Sequence, residues 1–212
     1  MKTAVIGLGN IGSVVAQNLV AGGKHVIVAD HGPTKARDFA NASGGKARAA
    51  SVAAAIDEAD VIVLAVYFPA IQGLLKEFGR KLVGKIVVDP SNPIAPDGSG
   101  GFKKTIPQDQ SSGQLLSALL PTGAKFVKAF GSLAATSLKS GARHSPEPYA
   151  LFYASDDQNA GNAVADLIKA SGFAPVTVGG VRESIRIEVF GDLHEFGKLG
   201  KLVTAKEAAA LV

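Results

Sequence analysis

One stretch near the start of the chain decides the fold, and it reads Thr3-Ala4-Val5-Ile6-Gly7-Leu8-Gly9-Asn10-Ile11-Gly12. Its first four residues form a short run that favours a β-strand. From Ile11 to Ala21, apolar residues recur with the spacing of a helix face. The stretch therefore predicts a strand, a glycine turn and a helix.

The three glycines of this turn have the spacing G-x-G-x-x-G, which is typical of a turn that binds a dinucleotide. Gly7 permits the tight turn, Gly9 lets a pyrophosphate approach the backbone, and Gly12 lets the helix pack closely on the strand. Free N–H groups at the start of the helix face the anion. We expect the pyrophosphate to be bound by Gly7, Leu8, Gly9, Asn10, Ile11 and Gly12.

The next strand, His25 to Ala29, ends at an acidic residue. Asp30 lies 18 residues after Gly12, close to the about 20 expected for an acid that binds the adenosine ribose. A carboxylate there accepts hydrogen bonds from the ribose hydroxyls but repels a 2′-phosphate, which favours NAD over NADP. Three basic residues that follow would offset this repulsion by binding a phosphate, or else belong to a solvated helix start: His31, Lys35 and Arg37. Both dinucleotides stay open.

Strands and helices continue to alternate along the rest of the chain. Helices are predicted at 34–42 with Thr34 as N-cap, at 52–59, 71–82, 113–120 and 158–170, and from about 182; strands are predicted at 61–66, 86–89, 125–129, 149–154 and 176–178. Residues 90–113 are rich in Pro, Gly, Ser and Asp and predict a surface loop beside the site. The pattern predicts an α/β fold, a Rossmann-like doubly wound and mostly parallel sheet with a small carboxy-terminal α/β extension.

Length and composition favour one soluble globular domain. The 212 residues, 47% hydrophobic and 19% charged, predict a single unit with a core at about 1–124 and an extension at about 125–212. The formal net charge is +4, but no basic cluster accompanies it, so we expect no nucleic-acid partner. Without cysteine there is no disulfide or thiolate chemistry, and the cytoplasm is the expected location.

Neither a membrane span nor a secretory signal is expected. The longest wholly apolar stretch before a proline, Val61 to Phe68, is far shorter than the about 20 residues of a membrane helix. The first residues carry one charge and then reach glycines, so they lack the apolar region of a signal peptide. We expect the mature protein to begin at Met1.

Two further segments follow predicted strands, at the edge where open α/β sheets bind ligands. The first comprises Ala65, Val66 and Tyr67. In the second, Ser91, Asn92 and Pro93, the polar side chains could hydrogen-bond a nicotinamide or a substrate while the prolines hold the backbone rigid. The alternative is an ordinary proline turn. We predict that both segments bind the cofactor and that Asn92 also contacts the substrate.

The remaining polar residues suggest little further chemistry. The four histidines show no metal-ligand spacing, so no metal site is expected. A serine nucleophile is not indicated either, since G-x-S-x-G is missing. His194 is a candidate proton donor, but no acid or base is assigned.

The motifs together resemble the NADP oxidoreductases that depend on the deazaflavin coenzyme F-420. The resemblance runs over nearly the whole chain and rests on the order of common segments: 4–12, Gly32-Pro33, Leu64-Ala65-Val66 before Pro69-Ala70, Val88-Asp89 before Ser91-Asn92-Pro93-Ile94, and Leu120-Pro121 before Lys128-Ala129-Phe130. It implies hydride transfer between NADP or NAD and a second redox partner: a deazaflavin, a flavin or a small organic substrate. It also implies a homodimer.

Three departures from the family pattern bear on the ligands. Family members often carry Ser-Arg in place of Asp30-His31, where those residues serve the 2′-phosphate. Many have Pro-Trp in place of Tyr67-Phe68 and Phe-Asn-Thr in place of Phe130-Gly131-Ser132. The resemblance therefore places Phe130 and Gly131 in the site of the second substrate, at positions where this chain differs.

Two other functions are compatible with the same dinucleotide features. A regulatory module would sense NAD(P) without catalysis, but the long loop suggests an added binding surface. A hydroxyacid dehydrogenase would need a large helical domain, for which too little chain remains. Residues 185–199 carry more apolar positions than one helix face needs, which favours a homodimer, although burial within the monomer is an alternative.

Overall fold

The computed structural model describes residues 1–212 as an α/β fold. Its strands are β1 (Thr3–Ile6), β2 (Val26–Ala29), β3 (Ala47–Ala49), β4 (Val61–Leu64), β5 (Ile86–Asp89), β6 (Ile94–Pro96), β7 (Phe102–Lys104), β8 (Lys125–Ala129), β9 (Ala150–Ala154) and β10 (Ala174–Thr177). Its α-helices are α1 (Asn10–Ala21), α2 (Pro33–Ala42), α3 (Val52–Glu58), α4 (Phe68–Phe78), α5 (Ser112–Ser117), α6 (Ala135–Ser140), α7 (Gln158–Ala170) and α8 (Ala205–Ala209). Two 3₁₀ helices span Gly79–Leu82 and Val181–Ile187.

Eight strands form one sheet in the order β10-β9-β8-β5-β4-β1-β2-β3. Six neighbouring strands of this sheet are parallel to one another: β8, β5, β4, β1, β2 and β3. Their order is that of a doubly wound dinucleotide-binding sheet. The switch point, where the order of successive strands changes direction, lies between β1 and β4. The strands β9 and β10 are parallel to each other but run against β8. The Rossmann-like fold class is confirmed.

Helices cover both faces of this sheet. Every residue of β1, β2, β4 and β5 is buried, as expected for parallel strands enclosed on two sides. One face packs on Val15 and Leu19 of α1 and on Val164 of α7. The other packs on apolar side chains of α3, α4 and α5. No helix combines the length and apolar character needed to cross a membrane.

Several predicted boundaries are wrong, for local reasons. The helix α2 is capped by Gly32 and not by Thr34, because Pro33 fits the first helical position. Likewise α4 begins at Phe68, with Pro69 in its first turn. Residues 90–113 contain an antiparallel hairpin of β6 and β7. The short elements β3, α6 and α8 were not predicted.

The long helix predicted from about residue 182 is also wrong. The chain is helical only as far as Ile187, in a 3₁₀ helix that begins at Val181, and tight turns follow until the short helix α8 begins at Ala205. Glycines permit these turns, because a Cβ on Gly197 would overlap the Gly191 carbonyl oxygen. Ile187 and Leu193 are buried within the chain, so the apolar surplus is not a helix face. The division at about residue 124 stays a prediction.

Candidate functional site

The glycine turn between β1 and α1 is shaped by close packing. Gly7 has φ +91°, in the left-handed region that favours glycine. A Cβ there would overlap the Ala65 carbonyl oxygen, and one on Gly12 would overlap the Gly7 carbonyl oxygen. The first and third glycines are therefore required by the fold itself.

Gly9 differs, because a Cβ on it would meet no atom within 4 Å. This residue is exposed, and it caps α1 without any side-chain hydrogen bond. No side chain therefore caps the first N–H groups of α1, and no other atom covers the backbone at Gly9. That combination fits an anionic pyrophosphate at the second glycine of the motif.

Asp30 lies directly after β2, beside this turn. Its Oδ1 accepts hydrogen bonds from the His31 backbone N–H at 2.7 Å and is 2.9 Å from His31 Nδ1. Burial alone would raise the pKa of Asp30, but the bonds from His31 and the Leu8 N–H outweigh it and keep the pKa below its usual value. The carboxylate is therefore ionised at neutral pH.

A cleft of about 460 Å³ opens next to Asp30. Its wall combines small apolar residues with polar and charged ones, and the lining comprises Asp30, His31, Pro33, Ala36, Arg37, Ala49, Ala50, Ser51 and Val52. Lys35 is exposed and is not part of this lining. Among the predicted basic residues, His31 and Arg37 thus reach the cleft.

On the other side of the turn, the residues after β4 lie against Gly7. A Cβ on Gly7 would clash with Val66 as well as with Ala65. Tyr67 is 85% exposed and precedes α4. The structure thus brings the predicted residues Ala65 and Val66 to the glycine turn, while the Tyr67 ring stands in solvent.

The segment after β5 is held by hydrogen bonds from two directions. Asn92 Nδ2 donates to the Gly131 carbonyl at 2.9 Å, and Asn92 Oδ1 accepts from the Val189 N–H at 2.7 Å. Pro93 is buried, and so is Ser91, whose Oγ has no hydrogen-bond partner in the protein. The predicted residues Ser91, Asn92 and Pro93 are therefore fixed beside the end of β8, with hydrogen-bonding capacity left over at Ser91.

Beneath this segment lies a buried ionic cluster that the sequence analysis missed. Lys128, Asp89 and Glu188 are 1%, 0% and 1% exposed. Lys128 Nζ donates to Asp89 Oδ2 at 2.6 Å and lies 3.8 Å from Glu188 Oε1. The only available signal was a lysine inside the otherwise apolar strand end Phe126-Val127-Lys128-Ala129-Phe130.

Glu188 binds the start of α5 as well as the lysine. It accepts hydrogen bonds from the N–H groups of Ser112 at 3.0 Å and Gly113 at 2.9 Å. Burial alone would raise the pKa of Glu188, but the Lys128 charge and these N–H groups hold the pKa below its usual value. The cluster therefore ties β5, β8, α5 and the carboxy-terminal segment together.

His194 is buried in the same region and is fully hydrogen-bonded. Its Nε2 donates to the Gly131 carbonyl at 2.9 Å, and its Nδ1 accepts from the Phe196 N–H at 2.9 Å. Burial lowers the pKa of His194 to about 4. A neutral ring with both nitrogens occupied favours a structural role over that of a proton donor.

Phe130 and Gly131 lie at the end of β8, inside the protein. The Phe130 ring is 1% exposed and belongs to the core on the α1 face. A Cβ on Gly131 would come within 2.6 Å of the Pro90 carbonyl oxygen. These two residues therefore shape the floor of the site rather than its open surface.

Together these features form a continuous ligand edge that fits a dinucleotide. The Gly9 cradle and the uncapped α1 suit the pyrophosphate, and the cleft beside Asp30 suits adenosine. The orphaned Ser91 hydroxyl supplies polar capacity on the opposite side. The chain contains no group of three or more His, Cys, Asp or Glu residues placed to hold a metal ion.

Fold and site define a class, the dinucleotide-binding α/β oxidoreductases. Within it, residues 2–93 match the model of the family described as coenzyme F-420-dependent NADP oxidoreductase. A hypothetical protein from Sinorhizobium meliloti is 30% identical with TM-score 0.84, and the alignment covers 96% of this chain and 95% of that one. The chain belongs to this family and is an NAD(P)-dependent oxidoreductase.

More distant structures share the fold. A candidate F-420-dependent NADP reductase from Arthrobacter sp. FB24 has 23% identity and TM-score 0.75, with 87% of each chain covered. A pyrroline-5-carboxylate reductase from Coxiella burnetii has 16% identity and TM-score 0.63, and the match covers 87% of this chain and 61% of that one. None of the curated proteins matches the sequence significantly.

Proposed function

We propose that the protein transfers a hydride between a nicotinamide dinucleotide and a second redox partner, which is a deazaflavin, a flavin or a small organic substrate. The observation that carries this proposal is the continuous edge with the Gly9 cradle at its centre. On one side lies the cleft beside Asp30, and on the other lies the hydrogen-bonded segment Ser91–Pro93.

The edge gives the dinucleotide a direction. With the pyrophosphate at the N-terminus of α1, adenosine lies towards β2 and β3, where the cleft is. Residues at the carboxyl ends of β4, β5 and β8 would then hold the nicotinamide, since open α/β sheets bind their ligands at that edge. Ala65, Val66 and the segment Ser91–Pro93 would hold it, with Phe130 and Gly131 beneath the second substrate.

NAD is the dinucleotide that the adenosine side favours. The ionised Asp30 carboxylate accepts hydrogen bonds from ribose hydroxyls and repels a 2′-phosphate. His31 pairs with that carboxylate and is therefore not free to serve a phosphate alone. Arg37 is the remaining cation of the cleft, which leaves NADP as the weaker ligand.

The second partner is proposed to be flat. Three exposed aromatic side chains follow elements that border the nicotinamide side: Tyr67 at 85%, Phe190 at 48% and Phe196 at 58% exposure. Aromatic faces bind planar rings by stacking. These residues support a deazaflavin or flavin over a small aliphatic substrate.

The side chains orient the reactants and exclude water, and no acid or base is needed. The bound dinucleotide supplies or takes the hydride, with its two electrons, and the second partner takes or supplies it. Holding the two reacting carbons about 3–3.5 Å apart accounts for much of such catalysis. We place this chemistry in one domain of residues 1–212, in the cytoplasm, and in a homodimer. The single eight-stranded sheet supports the assignment of one domain.

The test combines binding with turnover. Calorimetric titration of the parent with NAD, NADH, NADP and NADPH should show binding, tighter for the dinucleotides without the 2′-phosphate. Loss of dihydronicotinamide absorbance should then reveal a hydride acceptor among deazaflavins, flavins and small carbonyl compounds. Binding without transfer to any acceptor would favour the NAD(P)-sensing module, and no binding would refute both.

A further inference from the structure

The two peptide groups that flank Ser91 are clamped from below by buried charges. Asp89 Oδ1 accepts a hydrogen bond from the Ser91 N–H at 2.7 Å, and Lys128 Nζ donates to the Ser91 carbonyl oxygen at 2.6 Å. Lys128 also donates to Ser112 Oγ at 2.9 Å. All three Lys128 protons thus have fixed acceptors, so the ammonium cannot turn away from the Ser91 carbonyl.

The same segment is held from the carboxy-terminal side. The Val189 N–H donates to Asn92 Oδ1 at 2.7 Å, directly after Glu188, which lies beside Lys128. Asn92 is therefore held at two points. Val189 binds its side chain, and Lys128 binds the Ser91 carbonyl oxygen of the peptide that precedes it. Such a constraint exceeds what a surface turn needs.

Lys128 also changes the chemistry of the next peptide group. An ammonium bound to a carbonyl oxygen polarises the amide, because hydrogen bonds in a chain strengthen one another. The donor of this polarised amide is the Asn92 N–H, and it has no acceptor within the protein. A strengthened and free donor therefore stands at the carboxyl end of β5.

We propose that Lys128 is a positioning residue that holds and polarises the Ser91–Asn92 peptide, so that the Asn92 N–H binds the carboxamide oxygen of the nicotinamide. The inference rests on the proposed function, which places the nicotinamide at β5. Asp89 and Glu188 keep the ammonium in place. The adenosine side, built around Asp30, shares no contact with this cluster.

The experiment separates the two ends of the ligand. ADP-ribose contains the adenosine and pyrophosphate but no nicotinamide, so Lys128→Met should bind ADP-ribose with a dissociation constant within about twofold of the parent value. NADH should bind about tenfold more weakly, because the Asn92 N–H is then neither polarised nor held in position. Unchanged ADP-ribose binding also shows that the variant is folded.

A dinucleotide analogue tests the same contact in the parent. In thionicotinamide adenine dinucleotide, sulfur replaces the carboxamide oxygen and is a weaker acceptor. The parent should bind this analogue several-fold more weakly than NAD, on the order of the loss of one hydrogen bond. In Lys128→Met the difference between analogue and NAD should shrink, because the two changes remove the same interaction.

Two further variants complete the design. Lys169→Met removes an exposed lysine paired with Asp166 and should leave the dissociation constants of both NADH and ADP-ribose unchanged. If Lys128→Met does not fold, the triple variant Lys128→Met, Asp89→Asn and Glu188→Gln takes its place, because it leaves none of the three buried charges unpaired. Equal weakening of NADH and ADP-ribose, or no weakening of either, would overturn the inference. A parent that binds neither NADH nor ADP-ribose would refute the proposed function instead. A parent that binds NAD and the thionicotinamide analogue equally well would overturn the inference but leave the proposed function standing.

Discussion

The proposed adenosine side and the proposed nicotinamide side of the ligand edge are built in opposite ways. The adenosine side is open, and its parts lie close together in the chain, from Gly7 to Arg37 and from Ala49 to Val52. The nicotinamide side is a buried polar network, and its parts come from β5, β8 and the segment after Ile187. One side is defined by backbone shape and the other by side-chain contacts over long distances in sequence.

This difference predicts which property each side controls. A substitution on the open side should affect ligand binding and leave stability nearly unchanged. One in the buried network should affect stability as well, because removing one partner leaves a charge unpaired in the interior. The following experiments test that separation, in order of decreasing expected effect.

The largest effect is expected on stability from Lys128→Met. Breaking a buried ion pair by removing one partner costs about 3–5 kcal/mol, and here two carboxylates lose their cation. Urea denaturation should show this loss, while Lys169→Met should stay within about 0.5 kcal/mol of the parent, as an exposed pair does. If Lys128→Met lowered the free energy of unfolding by less than about 1 kcal/mol, the buried network would not stabilise the fold more than the open side does.

On the open side, Gly9→Asp should abolish dinucleotide binding, with a loss of at least about 100-fold because a like charge occupies the pyrophosphate position. Stability should hardly change, since the space around Gly9 is empty. Calorimetry and urea denaturation measure the two quantities. Gly73→Asp provides a matched control on α4, where the glycine is equally unobstructed. Parent-like binding by Gly9→Asp would refute the glycine motif.

His194 should make the stability of the buried side depend on pH. Its pKa is about 4 in the folded protein against 6.5 for an unburied histidine, so only the unfolded chain binds this proton between those values. Stability should therefore be fully present above pH 6.5 and fall by about 3 kcal/mol on acidification to pH 4. His194→Gln keeps a donor and an acceptor, so its free energy of unfolding should vary less over this range. Equal pH slopes for parent and variant would contradict the assignment.

The ribose end should decide between the two dinucleotides. Asp30→Ser combined with His31→Arg removes a repulsive carboxylate and adds a phosphate-binding fork, which should shift the preference towards NADP by roughly 1–3 kcal/mol. The ratio of the dissociation constants for NAD and NADP measures this shift. If that ratio did not move, the 2′ position would be read by residues other than these two.

The smallest change is expected from Phe190→Glu, and it concerns assembly. Phe190 and Phe196 are the exposed apolar residues of the segment that was predicted to form a dimer helix. If a homodimer uses this surface, the charge should dissociate it, because burying an unpaired charge is costly. Light scattering at micromolar concentration should give a dimer mass for the parent, and a parent mass near 21.6 kDa would refute the dimer.

The sequence predicted the parts of the molecule that short-range patterns encode. The first glycine turn, the strands β1, β2, β4, β5 and β8 and the helix α7 are where periodicity placed them, because one hydrophobic face or one glycine suffices to specify each. The prediction of a helix in the turn-rich segment from 188 to 200 was wrong, since apolar residues such as Leu193 point inward from turns and only resemble a helix pattern.

The candidate site was predictable in the same uneven way. Asp30 and the glycines lie within one β-α-β unit, where spacing alone indicates their role. By contrast, Glu188 meets Lys128 only after the whole sheet has formed, and no local pattern reports that contact. Ser91 and Asn92 were identified from their place after a strand, but the charges that hold them were not.

The reversed strands β9 and β10 have a consequence for how the site is completed. The chain leaves β10 at the edge far from the ligand, near Asp156, which accepts a hydrogen bond from the Val181 N–H at 2.8 Å. It must then return across the sheet to bring Glu188 to the cluster. During synthesis, the residues of the adenosine side therefore leave the ribosome well before Glu188, which completes the proposed nicotinamide side. A chain released before residue 188 would carry a complete adenosine edge without a finished nicotinamide site.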